Sequence, residues 1–285
     1  VGAMLIGGLW SLWSLRKSLL SGVRTGLSLT KGATADVLHT ERDLPMKAIL
    51  IGIVLFVLPL FALYYAVVGS LGIAFTMAVI MVVAGFVFSS VSGYMAGLVG
   101  SSNNPVSGIT ISTILFASLI LLALMGHGST VGPVAAIMIG GVTCCAAAVA
   151  GDNLQDLKAG QLVGATPWRQ QVMLGIGAIA SAAIMAPVLN LLLDAYGIGT
   201  PAREGVNALA APQAMLMASV ASGIFGAGLP WDMVAIGAVV GAFVITLDEY
   251  LKRSGRSWRA PVLAVAVGIY LPLELSTPIF LGGLI

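Results

Sequence analysis

Charged residues are scarce in this sequence. Aspartate, glutamate, lysine and arginine make up 8% of its 285 residues, whereas a soluble domain carries about 25%. A folded globule must cover its core with polar groups, so a shortfall of this size excludes a large water-soluble protein. Apolar residues make up 59% of the chain and recur in long runs that are apolar all round. Lipid therefore replaces the missing polar surface, and the composition predicts an all-α, polytopic transmembrane helix bundle.

Cysteine and histidine are scarce as well, with two of each. Cys144 and Cys145 are neighbours within an apolar run, and neighbouring residues seldom form a disulfide. His39 and His127 have no partner at catalytic or metal-ligand spacing. The sequence also has no GxSxG motif and no His–Glu motif within an apolar run. We therefore expect no enzyme activity, no cofactor, no metal site and no nucleic-acid partner.

Seven apolar runs are long enough to cross a bilayer, which takes about 20 helical residues. They are Met46–Val68, Leu71–Leu98, Val106–Met125, Thr130–Ala150, Val172–Leu193, Trp231–Tyr250 and Pro261–Leu284. Val1–Leu15 is predicted to be the end of a further span, which gives about eight in all. The chain begins with Val and both of its ends are apolar, so we expect a central-to-C-terminal fragment, with residues 1–285 forming a single transmembrane domain. Its expected partners are the lipid bilayer and the missing N-terminal half of the same protein, and a homo-oligomer is a further option.

The basic residues cluster in three loops, and their distribution predicts the orientation of the chain. An even number of predicted spans separates each loop from the next, so all three lie on one side of the membrane. The positive-inside rule makes that side cytoplasmic, and we expect a bacterial inner membrane. The basic residues concerned are Arg16, Lys17, Arg24, Lys31, Arg42, Lys47, Lys158, Arg169, Lys252, Arg253, Arg256 and Arg259.

These loops divide the transmembrane domain into segments. The predicted segments are a cytoplasmic linker (16–45), a first helix group (46–150), a cytoplasmic polar segment (151–171) and a second helix group (172–285). Residues 212–229 are also apolar, but a full span there would put the last basic loop outside. Their richness in Ala, Ser and Gly predicts a re-entrant hairpin instead, whose backbone must be covered by protein or face a water-filled cavity.

Four charged residues near the last basic loop have a plainer predicted role. Asp248 and Lys252 are spaced i,i+4 at the end of a predicted helix, and so are Glu249 and Arg253. This spacing favours two ion pairs, which we expect to anchor that end of the helix at the membrane interface.

Polar and helix-breaking residues interrupt two apolar runs between Gly97 and Gly108. Pro105 lacks a backbone N–H and disfavours helix at the preceding residue, Asn104. Transporters build substrate sites from such broken membrane helices, but a polar turn between two spans needs the same residue types. Spacing alone leaves both interpretations open. The candidate substrate-binding residues are Ser101, Ser102, Asn103, Asn104, Pro105, Ser107 and Gly108.

Two segments resemble the signatures of the oligopeptide transporter family, including its yellow stripe-like branch. One is Gly97–Gly108 with Ile109–Ile111 after it, and the other is Gly151–Gln171. Their order and spacing also match, and the similarity extends to Pro261–Ile285, so it covers nearly the whole chain. The resemblance implies a secondary active transporter that takes up small peptides or metal chelates by alternating access, coupled to protons. The Lys-Ile-Pro-Pro-Arg motif of the fungal peptide-carrying branch is absent, which favours the prokaryotic, chelate-carrying side.

The second of these segments is rich in charged and amide residues. Asp152 and Asp156 are one helical turn apart, so a helix would present both on one face. Together with the resemblance, this favours a gate at the cytoplasmic exit or a site for a coupling cation. The alternative is a solvated loop in which Lys158 lies near one of the two aspartates. The candidate residues are Asp152, Asn153, Gln155, Asp156 and Lys158.

Glu274 lies in the middle of the last predicted span, where an acidic residue costs about 2.5–3.5 kcal/mol to insert. Pro272 and Pro278 flank it, so we expect a kinked helix whose freed carbonyls need partners. A carboxyl in this position is suited to load and release a proton during transport. The alternative is a protonated Glu that only locks neighbouring helices. We predict Glu274 as the first candidate for coupling and Asp152 as the second.

An ion channel that uses the broken helix as its filter is the alternative function. Channels usually repeat such an element symmetrically by forming oligomers. Two segments of this chain resemble each other, Ser92–Leu98 and Ser222–Leu229, and each precedes a proline-containing break. We call this similarity the internal echo. That echo fits a weak internal repeat in a transporter better than a channel filter.

Overall fold

The structure is a computed structural model that describes residues 2–14, 16, 38–99, 104, 106–203, 205, 207–209, 211–226, 231–256, 258–270 and 273–284. The described residues form ten α-helices. They are α1 (Gly2–Ser14), α2 (Met46–Val68), α3 (Leu71–Val99), α4 (Val106–Met125), α5 (Gly132–Leu162), α6 (Pro167–Ala195), α7 (Pro212–Ile224), α8 (Trp231–Arg253), α9 (Val262–Tyr270) and α10 (Leu273–Leu284).

Six helices in the described part of the chain, α2 to α6 and α8, are long and apolar enough to cross a membrane. They correspond to six of the seven predicted spans. Each contains an apolar stretch of 18 residues, as helices that cross a membrane do. The predicted all-α, polytopic bundle is confirmed, and the protein is an integral membrane protein.

Helix α5 continues beyond its predicted end at Ala150 and includes the polar residues up to Leu162. It ends in a Schellman turn around Gly164, whose φ of 76° is the left-handed conformation that glycine adopts freely. In this turn the N–H of Ala165 donates to the C=O of Gly160 at 2.8 Å. Helix α6 then begins with a proline at its first position. The first half of the predicted polar segment is therefore helix, because apolarity sets the length of a span and not the length of a helix.

Within the last predicted span, Pro261–Leu284, the structure describes two helical segments, α9 with 9 residues and α10 with 12. Leu271 and Pro272, which separate them in the sequence, lie outside the described residues. The single span and its kink therefore stay predictions.

Helix α7 occupies the first part of the predicted re-entrant hairpin, residues 212–229. It has 13 residues and is about 20 Å long, which is less than the hydrocarbon thickness of about 30 Å. Its apolar residues pack against α4. At its end, the C=O of Phe225 accepts a hydrogen bond from the N–H of Gly128 at 2.9 Å. The predicted return, residues 227–230, lies outside the described residues, so the hairpin stays a prediction.

The chain divides into two compact units. The first comprises Val1–Leu15, Ser107–Gly140 and Pro212–Ile285, and the second comprises Arg16–Val106 and Gly141–Ala211. The boundaries fall inside helices, at the start of α4 and within α5.

In the first unit, glycines allow α1 and α8 to pack closely. A Cβ on Gly241 would lie 3.0 Å from the Cα of Ala3, and one on Gly237 would lie 3.3 Å from the Cα of Gly2. Gly237 and Gly241 have the GxxxG spacing that lets membrane helices bring their backbones together. This contact therefore depends on the absence of side chains at both positions.

Replacing Gly241 with leucine is expected to destabilise the first unit by about 1–3 kcal/mol, the usual cost of overpacking a tight contact. The facing atoms belong to the backbone of Ala3, so they cannot move aside without shifting α1. Thermal unfolding in detergent measures the effect. Gly268→Leu in α9 is the matched control, because a Cβ at Gly268 meets nothing within 4 Å. Equal unfolding temperatures for the two variants would contradict the prediction.

At the end of α8, Asp248 bonds to Arg259 and not to Lys252. Arg259 donates from Nε to Oδ1 at 2.8 Å and from Nη2 to Oδ2 at 2.7 Å, and the following backbone N–H donates to Oδ1 at 2.9 Å. These bonds raise the pKa of the Arg259 guanidinium. The predicted Asp248–Lys252 pair was wrong, because a planar guanidinium engages both carboxylate oxygens and an ammonium does not. Glu249 does pair with Arg253, at 3.5 Å.

In the second unit, the start of α6 contacts the segment before α2. The N–H of Trp168 donates to the C=O of Arg42 at 3.0 Å. The side chain of Gln171 accepts from the N–H of Leu44 at 3.1 Å and donates to Asp43 Oδ1 at 3.2 Å. The starts of α2 and α6 therefore lie together, as two helices that enter from one side must. The assignment of that side to the cytoplasm stays a prediction.

Candidate functional site

The two motif segments meet within the second unit. Asn104 lies between α3 and α4, and Gly151 lies in α5, where the second motif begins. A Cβ built on Gly151 would lie 2.6 Å from Asn104 Nδ2 and 3.2 Å from Ser92 Oγ. Only a residue without a side chain leaves room for this contact. Glycine at position 151 therefore allows the Asn104 side chain to pack against α5.

Ser92 of α3 holds the amide group of Asn104. The Asn104 Nδ2 group donates to Ser92 Oγ and also approaches the C=O of Ser92 at 3.4 Å. The Ser92 hydroxyl in turn donates to the C=O of Ala147 in α5. Ser92 is fully buried, so water does not compete for these bonds. We call Asn104, Ser92, Ala147 and Gly151 the amide site.

The remaining polar atom of the amide site is the Asn104 Oδ1. It is buried and has no hydrogen-bond partner among the described residues. Leaving such an acceptor unpaired costs about 1–3 kcal/mol. Because the amide nitrogen is already engaged by Ser92, the free function of the side chain is that of an acceptor. The amide site can therefore receive a hydrogen-bond donor.

The amide site lies in the C-terminal half of α5. This helix has 31 residues and is about 46 Å long, with Gly151 about 28 Å from its first residue. Helix α3 ends and α4 begins at the break, so the amide site lies toward the side of the membrane where α3 ends. The basic loops predict that side to be cytoplasmic. This depth suits a site in the inner half of the bilayer better than one at the midplane.

The structure describes three of the seven predicted substrate-binding residues. Asn104 belongs to the amide site. Ser107 and Gly108 lie in the first turn of α4, where Ser107 is half-buried and Gly108 is buried; this turn belongs to the first unit. Four predicted residues lie outside the described part of the chain: Ser101, Ser102, Asn103 and Pro105.

The five candidate gating residues that follow Gly151 all lie on α5. Asp152 and Asp156 are exposed and one turn apart on this helix, as predicted from their spacing. Lys158 donates from Nζ to Gln161 Oε1 at 2.9 Å, and these residues lie on a helix rather than in the solvated loop of the alternative. Asn153 is half-buried and Gln155 is exposed. The whole set begins one residue after the amide site, and its role as a gate stays a prediction.

The backbone of Glu274 lies in α10. Its side chain lies outside the described part of the structure. Its place in the middle of one long span and its role in coupling stay predictions.

Ser92 and Thr143 are two buried polar residues that the sequence did not single out as site residues. Thr143 lies on the same face of α5 as Ala147 and Gly151, because the three are spaced i, i+4 and i+8. It is fully buried, and its hydroxyl has no partner among the described residues. The only sequence signal for either residue is a hydroxyl inside an apolar run, and Ser92 also opens the first half of the internal echo.

The chain matches one protein family over its whole length. The family is the OPT oligopeptide transporter protein family, and the match covers residues 1–285. A Haemophilus influenzae protein with the name "Putative oligopeptide transporter" is 36% identical over 304 residues, which cover 99% of this chain and 48% of that protein. A Saccharomyces cerevisiae protein with the same designation is 30% identical over 187 residues, which cover 63% of this chain and 24% of that protein.

No solved structure matches the chain. The chain spans about half of the length of the Haemophilus influenzae relative. The convergence of its two motif segments on the amide site, the six membrane-spanning helices and the family match over residues 1–285 agree with one another. The chain belongs to the OPT oligopeptide transporter family.

Proposed function

We propose that the full-length protein is a proton-coupled secondary transporter that takes up small peptides or metal chelates by alternating access. The observation that carries this proposal is the buried Asn104 Oδ1, which has no hydrogen-bond partner among the described residues. Ser92 holds the nitrogen of the same amide at a break between two membrane helices. A bundle that served only as a scaffold would gain by satisfying or removing this buried acceptor. Substrate-binding sites in secondary transporters are built at such helix breaks.

We assign the coupling step to Glu274 first and to Asp152 second. Membrane-embedded acidic residues are the usual carriers of coupling protons, and Glu274 is the acidic residue in the last apolar segment. Asp152 follows the amide site directly in α5. We assign Asn153, Gln155, Asp156 and Lys158 to the gate on the cytoplasmic side, in the inner membrane of a bacterium.

Further transmembrane helices of the full-length protein and lipid are the proposed partners of α2 and α6. No residue is buried in the most apolar 18-residue stretch of either helix. An apolar helix needs lipid or other helices around it. The described units therefore leave room for the remaining helices of a longer transporter.

Uptake by the full-length protein in proteoliposomes tests this proposal. We expect an inward proton gradient to drive accumulation of di- to tetrapeptides or of ferric or nickel chelates, and collapse of the gradient to stop it. One pH unit supplies about 1.4 kcal/mol per proton, enough for about tenfold accumulation. Flux that ignores the gradient and produces a channel-like conductance would reject coupled transport in favour of the ion channel.

A further inference from the structure

We infer that the amide site binds the free α-amino group of a peptide, with Asn104 Oδ1 as the acceptor and Ser92 as the positioning residue. This inference rests on the proposed transport function and narrows its substrate class. It distinguishes peptides from metal chelates and fixes which end of the peptide lies at the break.

The hydrogen-bond pattern of the site determines which ligand groups fit. The Asn104 Nδ2 group donates to Ser92 Oγ, and the Ser92 hydroxyl donates to the C=O of Ala147. In this arrangement the single hydroxyl proton of Ser92 points to Ala147, so the amide nitrogen faces Ser92 and Oδ1 faces away from it. The atom left for a ligand is an acceptor, which binds N–H groups and repels a carboxylate.

Charge favours an ammonium over a neutral peptide N–H at this site. Hydrogen bonds from a charged donor are about twice as strong as neutral ones. The nearest charged residues on α5 are Asp152 and Asp156, whereas the Lys158 ammonium is farther along the helix and engages Gln161. Their sum is one negative charge, which attracts a cation. A chelate whose nitrogen donors are committed to its metal presents mainly oxygen acceptors to the protein, so it fits the site less well.

Packing explains how the site stays selective. A Cβ on Gly151 would already lie 2.6 Å from Asn104 Nδ2, and the Ala96 Cβ lies 3.8 Å from the same position. The amide therefore cannot swing away from Ser92 to expose its nitrogen to a ligand. Ser92 and Gly151 act through Asn104 and do not themselves contact the peptide.

Competition for uptake tests the assignment with three probes: trialanine, N-acetyltrialanine and trialanine amide. In the wild-type full-length protein, N-acetylation is expected to weaken competition about tenfold, the loss of one charge-assisted hydrogen bond. Asn104→Leu is expected to remove this tenfold penalty and to leave the effect of C-terminal amidation unchanged. Asn104→Asp, which keeps an acceptor, is expected to retain the penalty, and Ser92→Ala to reduce it.

The penalty is a ratio taken within each variant, so the fraction of folded protein cancels. Asn207→Leu, in an exposed loop of the second unit, is the matched control and should keep the wild-type ratio. If Asn104→Leu does not fold, the effect of N-acetylation on competition is compared between Asn104→Asp and Ser92→Ala instead. Gradient-driven uptake that is blind to N-acetylation overturns the amino-group assignment and leaves the proposed function standing. Failure of all three peptides to be taken up or to bind overturns the amino-group assignment, and the proposed function falls with it only if ferric and nickel chelates are not taken up either.

Discussion

Gly151→Ala is expected to lower uptake by the full-length protein by roughly 10- to 100-fold, because overpacking at a tight contact costs about 1–3 kcal/mol. The added Cβ would lie 2.6 Å from Asn104 Nδ2 and 3.2 Å from Ser92 Oγ. Asn104 is a short side chain fixed by its bond to Ser92, so it can yield only by breaking that bond. The amide would then lose the orientation that presents Oδ1 to a substrate. Initial rates of peptide or chelate uptake measure the loss.

Gly141→Ala is the matched control, because it makes the same change in the same helix. A Cβ at Gly141 meets nothing within 4 Å, and alanine is favoured over glycine inside a helix by about 1 kcal/mol. The control is therefore expected to keep wild-type uptake and to gain slightly in thermal stability. Both variants should insert in the membrane and elute as folded protein. Wild-type uptake by Gly151→Ala would show that the amide site takes no part in transport.

The spans of this protein are readable from its sequence because lipid imposes one simple rule. A segment of about 20 residues must be apolar on all sides to cross a bilayer, and six predicted spans obey this rule as helices. The ends of helices follow other rules. Helix α5 continues to Leu162 because a helix can extend beyond the bilayer into water. Its end is set by Gly164, which adopts the left-handed conformation. A hydropathy pattern contains no information about that position.

The effect of a proline on a membrane helix was not predictable from the sequence. Pro278 was expected to contribute to a kink, and it lies inside α10. A membrane helix tolerates a proline when neighbouring groups satisfy the carbonyl that it frees. Those neighbours are tertiary contacts, which the local sequence does not specify.

The candidate site was predictable as two separate motifs but not as one place. The motifs around Asn104 and Gly151 are specific enough to identify the family, and their residues are the ones in contact. Ser92, which joins them, bonds to Ala147 across 55 positions of the chain. A serine in an apolar run is common in membrane helices, where it often bonds to its own helix, as Ser90 does to Phe86. Only the packing of α3 against α5 distinguishes Ser92 from Ser90.

Glu274→Gln is expected to abolish proton-driven accumulation while leaving exchange of substrate across the membrane intact. Glutamine keeps the size and polarity of the side chain but cannot carry a proton, so binding and alternating access continue without coupling. With a gradient of two pH units, one coupled proton supports about 100-fold accumulation in the wild type, since each unit is worth about 1.4 kcal/mol. The variant should reach no more than the external concentration. Accumulation and counterflow of the same labelled substrate measure the two properties separately.

Glu249→Gln is the control for this experiment, since it makes the same substitution at a carboxylate of known environment. Glu249 forms ion pairs with Lys252 at 3.9 Å and Arg253 at 3.5 Å at the end of α8, and such exposed pairs contribute about 0–1 kcal/mol to stability. Its loss should leave both accumulation and counterflow unchanged. If Glu274→Gln still accumulates substrate about 100-fold under the gradient, the coupling carboxyl lies elsewhere, and Asp152→Asn is then the variant that must lose the drive. Loss of counterflow together with accumulation would instead assign Glu274 to the packing of its helix, because a coupling residue alone is not needed for exchange.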